Sequence, residues 1–404
     1  MKYILVIGDG MADDPVPELG GKTPLQYADI KTLDKLAGAG VLGNVKTIPD
    51  GMPAGSDTAI LSIFGYDPRN SYSGRAPLEA AAMDITLSPG DTAYRCNMIT
   101  IEDGDKPFEE KKLLSHSAGA IGGEESDFLL SELLQNPEFK SIAENAGLII
   151  YPGSSFRHIA VQNISNTNEL ILFPPHDHIN EELGKYLPND VVLEKLIRLS
   201  FDILDDHPVN KKRRAEGKLP ANCIWFWASG SAARLPDFTG KYGKTGSVIS
   251  AVPLCQGIGK LIGLKKVIVE GATGELHTNY EGKVDAAMEA LKTRDFVAIH
   301  IEAPDECTHN GDLNGKLQAI EWVDSRIVAP LISRLNETGT DFRMLLMSDH
   351  KTLTSTRAHD STPVPYIIYD SSTDNKTAKT FNEQDASTAN FIANGTDLME
   401  ILFK

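Results

Sequence analysis

Side chains able to hold a metal ion follow three short apolar runs. Asp9 follows residues 3 to 7, Asp305 and His309 follow 296 to 301, and Asp349 and His350 follow 344 to 347, with His359 ten residues past Asp349. Such runs, bounded by Gly, Pro or charged residues, read as strands buried on both faces of a parallel sheet. The C-terminal ends of parallel strands share one edge, where open α/β folds bind ligands. This oxygen and nitrogen set suits Mn²⁺, Zn²⁺ or Mg²⁺ better than a soft metal. In Asp305-Glu-Cys-Thr-His309 the spacing lets a single turn present both side chains to one ion. A lone strand-end Asp is usually a turn or capping residue; their coincidence at three strand ends favours a metal cluster. Ser56, in Gly55-Ser56-Asp57-Thr58-Ala59, precedes the apolar stretch 60 to 64 and stands at a predicted helix N-terminus. Exposed backbone N–H groups and the helix dipole favour anions there. Alone it would be an N-cap, but beside two metal ions its hydroxyl ionises more readily and becomes a phosphoryl acceptor.

The elements that must position these residues alternate between strand and helix. Apolar runs at 267 to 269 and 364 to 369 add further strands. Thr23-Pro24 reads as an N-cap with Pro at the first helical position, opening a helix that ends near Gly38 and Gly40, and a longer amphipathic helix is expected from about Gly315 to Leu335. The pattern predicts an α/β sandwich. Residues 77 to 247 lack this rhythm. They hold the turn-rich stretch 119 to 123, an alternating segment from Phe156 to Asn163 and a predicted strand from Leu170 to Phe173. The expected organisation is a core of residues 1–76 and 248–404 with an inserted α+β domain at 77–247. Residues 371 to 377 read as an exposed loop.

At 404 residues a single small module is excluded, and a 41% hydrophobic, 24% charged composition is that of an ordinary soluble protein. The formal charge of −17 disfavours nucleic acid and anionic membrane as partners, although a few arginines in a cleft could still bind a small anion. The basic run Lys211 to Arg214 reads as a solvated helix end. Cys96, Cys223, Cys255 and Cys307 form no Cys-x-x-Cys, which fits a reducing, cytoplasmic location. The apolar stretch after Met1-Lys2 is interrupted at Gly8 and is too short to export the chain or cross a bilayer. Gly243-Lys244-Thr245 lacks the first glycine of a P-loop, and Gly8-Asp9-Gly10 lacks the third glycine of a dinucleotide fingerprint. His176-Asp177-His178 reads as a polar loop, and Cys307 as pointing away from the ions.

Several stretches together resemble the archaeal-type cofactor-independent phosphoglycerate mutases of the alkaline phosphatase superfamily: Gly8 to Asp13, Gly55 to Ala59 with Gly65 to Pro68, Gly74 to Pro77, Arg95-Cys96-Asn97, Gly271 to Gly274, Glu302 to Asp305, Ile320-Glu321 with Asp324, and Ser348-Asp349-His350. The resemblance implies an alkaline-phosphatase-like sandwich with a mostly parallel central sheet and a smaller α+β insertion. It implies two divalent ions, Mn²⁺ or Zn²⁺ with Mg²⁺ as a further candidate: one held by Asp305, His309 and His359, the other by Asp9, Ser56, Asp349 and His350. No 2,3-bisphosphoglycerate would be needed, because Ser56 would carry the phosphoryl group between the hydroxyls of bound glycerate while the insertion excludes water. A small phosphorylated substrate with a carboxylate calls for arginines. Arg75, Arg157 and Arg234 are the candidates, with His116 as a possible acid or base.

After Trp225-Phe226-Trp227 the chain reads Ala228-Ser229-Gly230-Ser231-Ala232, where the family tends to carry a Gly-x-Gly step. That departure puts the substrate in question and leaves the metal chemistry untouched. The alternative is a homoserine kinase-like phosphotransferase, with residues around Ser229, Ser231 and Lys244 discriminating the two. A hydrolase of small phosphate or sulfate esters, or a degenerate binding protein, fits less well: the insertion is bulky and every ligand position is filled.

Overall fold

The computed structural model describes residues 1–163, 170–232, 235–373 and 376–404, which form two compact units, Met1–Tyr72 with Arg234–Lys404, and Ser73–Ala233. The first contains an eight-stranded sheet in the order Asn390–Ile392, Val41–Val45, Val364–Asp370, Phe342–Met347, Lys2–Gly8, Phe296–Ile301, Gly246–Ile249, Lys265–Val267. Only the pairings of Val364–Asp370 with its two neighbours are antiparallel, so the sheet is mostly parallel.

Alternation along the strands explains why helices cover both faces. Ile4, Val6, Val297 and Ile299 pack with Leu33, Val284 and Ile320, from helices Lys31–Ala39, Tyr280–Leu291 and Leu313–Trp322. On the other face, Phe296 meets Phe64, Phe238 and Phe403, and Tyr3 meets Phe403 edge-on. Phe238, in the short helix Phe238–Tyr242, thus belongs to the core of the first unit. The second boundary accordingly falls before residue 235, ahead of the expected 247, because strand Gly246–Ile249 and its preceding helix complete the large sheet's packing.

Two predicted helices are broken. Thr23 does cap Pro24–Tyr27, in a reciprocal box with Gln26, but Ala28 is extended and a new helix starts at Lys31. Its N-terminus has no side-chain cap of its own and is served from afar, Leu33 N donating to Asp324 Oδ1 at 2.7 Å. The stretch 313–337 contains a π-helical turn at Val323–Val328 before Pro330, a ring that cannot extend a regular helical ladder. The strand predicted at 267 to 269 sits at Lys265–Val267, leaving Ile268 exposed.

The second unit has a five-stranded antiparallel sheet: Leu113–Ser115, Thr92–Ile101, Arg157–Gln162 and Leu148–Tyr151, with Cys223–Ser231 also on Thr92–Ile101. Leu129, Leu133, Leu196 and Ile197 of its helices pack with Ile99, Ile224 and Trp225 into a separate core. The predicted strand Leu170–Phe173 does not form. Its backbone is taken by side chains instead, Ile171 N donating to Asn189 Oδ1 at 2.9 Å and Phe173 O accepting from Trp225 Nε1 at 2.9 Å. Of the loop predicted at 371 to 377, residues 374 and 375 lie outside the described residues.

Candidate metal centre

Strand register brings the candidate ligands to one level. Gly8 pairs with Ile301 and Ile7 with Met347, so the residues that follow, Asp9, Glu302 and Ser348-Asp349, leave the sheet side by side. Asp9, Asp349 and His350 are wholly buried and Asp305 nearly so; Ser56, His309 and His359 are half-buried.

Asp9 and Asp349 are each tied at one oxygen and free of hydrogen bonds at the other. Asp9 Oδ2 accepts from Ser56 Oγ at 3.3 Å and lies 2.9 Å from His300 Nε2, while its Oδ1 has no hydrogen-bond partner. Asp349 Oδ1 accepts from Gly10 N at 3.2 Å and His350 N at 2.9 Å, and its Oδ2 has none. Buried, unpaired carboxylate oxygens are costly in a protein interior unless a cation meets them.

The imidazoles show the complementary arrangement. The Nδ1 atoms of His309, His350 and His359 lie 2.9, 3.3 and 3.4 Å from the carbonyl oxygens of Arg357, Lys351 and Ala54. A proton on Nδ1 donated to each carbonyl leaves Nε2 as a lone-pair donor, the arrangement by which metal-binding histidines are oriented. All three Nε2 atoms turn inward. His309 and His359 Nε2 are 2.9 Å apart, and lie 3.1 and 3.4 Å from Asp305 Oδ2 and Oδ1. His350 Nε2 is 3.1 Å from Ser56 Oγ and 3.4 Å from Asp9 Oδ1. Two facing lone pairs at hydrogen-bond distance repel unless a proton or cation lies between them.

Ligand atoms of Asp305, His309 and His359 fall within 4.8 Å of one another, as do those of Asp9, Asp305 and His350, and those of Asp9, His300 and Glu302. The donor set therefore fits divalent cations.

The electrostatics agree. Burial, then the charges of Asp349, Glu302 and Asp305, push the Asp9 carboxyl well above its ordinary range. Burial raises Glu302 to about 7. Burial works against the charged form of Asp305; where no cation takes the Nε2 lone pairs, hydrogen bonds from protonated His309 and His359 would instead hold that carboxyl well below the usual range. His309 would rise to about 9 through that same bond. The carboxylate excess around Asp9 is what a divalent cation would neutralise.

Gly10 is conformationally required. It has φ +62°, and a Cβ there would lie 2.8 Å from Asp305 Oδ1 and 2.9 Å from Asp305 Cα. Gly10→Ala should displace Asp305 and cost about 2 kcal/mol or more of stability from backbone strain and clash, together with at least tenfold in Mn²⁺ affinity. Urea melts and metal titration of the purified variant would check this; unchanged affinity would rule out a tight Gly10–Asp305 packing.

The second unit gathers cationic and aromatic groups of its own. Arg95 Nε pairs with Glu79 at 3.0 Å and its guanidinium lies 4.1 Å from the Trp227 ring centroid; Arg75 reaches the same Glu79 at 3.4 Å. Arg157 covers Phe156 at 4.2 Å, and His116 packs edge-on against Phe156 and His176. Burial, then His176, Arg157 and Arg95, lower the His116 pKa. Arg75, Arg157 and His116 are thus neighbours of Arg95, which the sequence reading used as part of the stretch Arg95-Cys96-Asn97 but did not count among the substrate-binding candidates. Arg234 lies outside the described residues.

His300 and Glu302 were not among the site candidates; the signals were a histidine interrupting the apolar run 296 to 301 and the place of Glu302 in the stretch Glu302 to Asp305. Cys307 is absent from the three ligand groups, and its Sγ faces Gly315. Lys244 stacks on Tyr3 at 5.1 Å, near the start of the strand that Asp9 follows. That places it roughly 20 Å from the metal-ligand cluster at 3.3 Å per residue, so it does not discriminate substrates there. His176–His178 form one short 3₁₀ turn with Pro175. Among the described residues no helix is long and apolar enough to cross a membrane.

With this geometry in view, a family model described as 2,3-bisphosphoglycerate-independent phosphoglycerate mutase matches residues 37–210. The chain is 45% identical over 409 residues to the 2,3-bisphosphoglycerate-independent phosphoglycerate mutase of Methanosarcina barkeri, covering 100% of both. It is 41% identical to a probable enzyme of the same name from Geobacter sulfurreducens, covering 100% of this chain and 99% of that one. A solved structure from Pyrococcus horikoshii has 30% identity and a TM-score of 0.81 over 99% of this chain and 96% of that one. The cofactor-independent phosphoglycerate mutase from Thermoplasma acidophilum, at 24% identity and TM-score 0.64 over 99% and 98%, shares the fold.

Proposed function

Because the chain belongs to the 2,3-bisphosphoglycerate-independent phosphoglycerate mutase family, we propose that it interconverts 3-phosphoglycerate and 2-phosphoglycerate, with Ser56 as the group that carries the phosphoryl between the two hydroxyls. The observation that supports this most is Ser56 Oγ standing 3.3 Å from Asp9 Oδ2 and 3.1 Å from His350 Nε2, beside the carboxylate oxygens Asp9 Oδ1 and Asp349 Oδ2, which accept no hydrogen bond.

Asp305, His309 and His359 would hold one divalent ion, and Asp9, Asp349, His350 and Ser56 the other. Such ions lower the pKa of a serine hydroxyl and offset the charge of the transferring phosphoryl. Ser56 Oγ gives up its proton and attacks phosphorus as the bond to the substrate hydroxyl oxygen breaks, and that oxygen takes up a proton. In the second half the other hydroxyl of glycerate gives up its proton and attacks the phosphoserine as the bond to Ser56 Oγ breaks, and Ser56 Oγ takes up a proton. Backbone N–H groups at the start of helix Ser56–Ile63 favour the anion. Arg75, Arg157 and Arg95, with Arg234 as a further candidate, would hold the substrate's carboxylate and phosphate, and His116 would serve as acid or base. Exclusion of water from the site would keep phosphoserine from hydrolysing.

The protein is read as acting on a small phosphorylated acid in the cytoplasm, with Mn²⁺ or Zn²⁺ ahead of Mg²⁺ for a site rich in imidazole. The relatives' names favour the isomerase over homoserine phosphorylation. An enolase-coupled assay with 3-phosphoglycerate and Mn²⁺, without 2,3-bisphosphoglycerate, should give turnover of at least about 1 s⁻¹, within the ordinary enzymatic range. Metal-loaded protein with no detectable turnover would overturn the isomerase assignment.

A further inference from the structure

His300 is the one charged or imidazole side chain in strand Phe296–Ile301, and it is almost wholly buried. Its Nε2 lies 2.9 Å from Asp9 Oδ2, its Nδ1 lies 3.1 Å from Ser250 Oγ, and its carbonyl oxygen accepts from the buried Lys283 Nζ at 3.0 Å. We infer that His300 is a positioning residue for Asp9, holding Oδ2 so that Oδ1 is aimed at the second divalent ion. This rests on the two-ion assignment above.

The protons are dictated by the partners. A carboxylate that ligates a cation through Oδ1 can only accept at Oδ2, so His300 Nε2 must carry a proton. In the neutral ring Nδ1 is then an acceptor and needs a donor. Ser250 supplies it: its oxygen already accepts from Val252 N at 3.0 Å, leaving the O–H free for His300. The Cys255 thiol also neighbours Ser250, but sulfur is a far weaker acceptor than an imidazole nitrogen. Asp9 Oδ2 also accepts from Ser56 Oγ, so a continuous chain runs from Ser250 through His300 and Asp9 to the proposed nucleophile. Lys283 fixes the level of His300 through its backbone.

The test is Mn²⁺ titration by calorimetry of chelator-stripped, substrate-free wild type, His300→Asn and His300→Gln. A glutamine amide nitrogen can stand where Nε2 stood; that of asparagine is too short to reach Asp9. In His300→Asn one Mn²⁺ should bind about 10- to 100-fold more weakly, as for lost partners of metal ligands, while the other keeps its wild-type affinity. His300→Gln should stay within about threefold of wild type, since the donor is retained. General structural damage would instead weaken both ions in both variants. Equal affinities in all three proteins, or a glutamine variant as weak as the asparagine one, would overturn the assignment. Affinities are read without substrate, so a failed isomerase assay would sink the substrate assignment and still leave the role of His300 decided.

Discussion

Ser56→Ala is expected to reduce phosphoglycerate isomerisation on the order of 10⁴-fold, the scale on which removal of a covalent nucleophile acts. Among the described residues no other hydroxyl stands in its place: Ser56 Oγ alone meets both Asp9 and His350. The fold should be spared. Ser56 opens its helix, the preceding Gly55 makes no side-chain cap, and Ser56 itself is half-buried, so the loss in stability should stay under about 1 kcal/mol. Coupled assay, thermal melting and Mn²⁺ titration of the variant read these three separately. Acid-quenched wild type incubated with substrate should carry phosphate on the peptide containing Ser56. Turnover within tenfold of wild type in a well-folded Ser56→Ala protein would place the nucleophile elsewhere.

Stripping divalent cations with a chelator should abolish turnover and lower the melting temperature, both restored by Mn²⁺. Asp9, Asp305, Asp349 and Glu302 crowd one buried site, and Asp9 Oδ1, Asp349 Oδ2 and Glu302 Oε2 have no hydrogen-bond partner. An ion present at a hundred times its dissociation constant stabilises the folded state by about 2.7 kcal/mol per site. Asp305→Asn should mimic the loss at one ion, because Asp305 touches both His309 and His359. A protein that melts at one temperature with and without chelator, and turns over in both, would show that the cluster holds no functional ion.

Much of this site could be read from residue order. Asp9, Asp305 and Asp349 follow apolar runs, parallel strands place their C-terminal ends on one edge, and the register Gly8 to Ile301 and Ile7 to Met347 joins them there. Ser56 was legible because a small polar residue before an apolar stretch marks a helix start. His300 was not. Within a buried strand it looks like any packed histidine, and its meaning depends on which face it takes and on Ser250, 50 residues earlier. Arg95 stood in a quoted stretch, but its setting was hidden likewise, since its partners Glu79 and Trp227 come from a helix and from another strand.

Sequence alone pointed to the mostly parallel α/β class and to the candidate residues Asp9, Ser56, Asp305 and Asp349, because each follows from local periodicity or from an unusual residue at an element end. Only the tertiary structure decided where helices break, as at Ala28 and at the π turn before Pro330, and that 170–173 gives its backbone to side chains. It also decided which oxygen of each carboxylate is tied and which ring nitrogen of each histidine faces inward. Those choices depend on contacts between residues far apart in the chain, whose strength is set by burial and mutual geometry; local pattern carries no record of either.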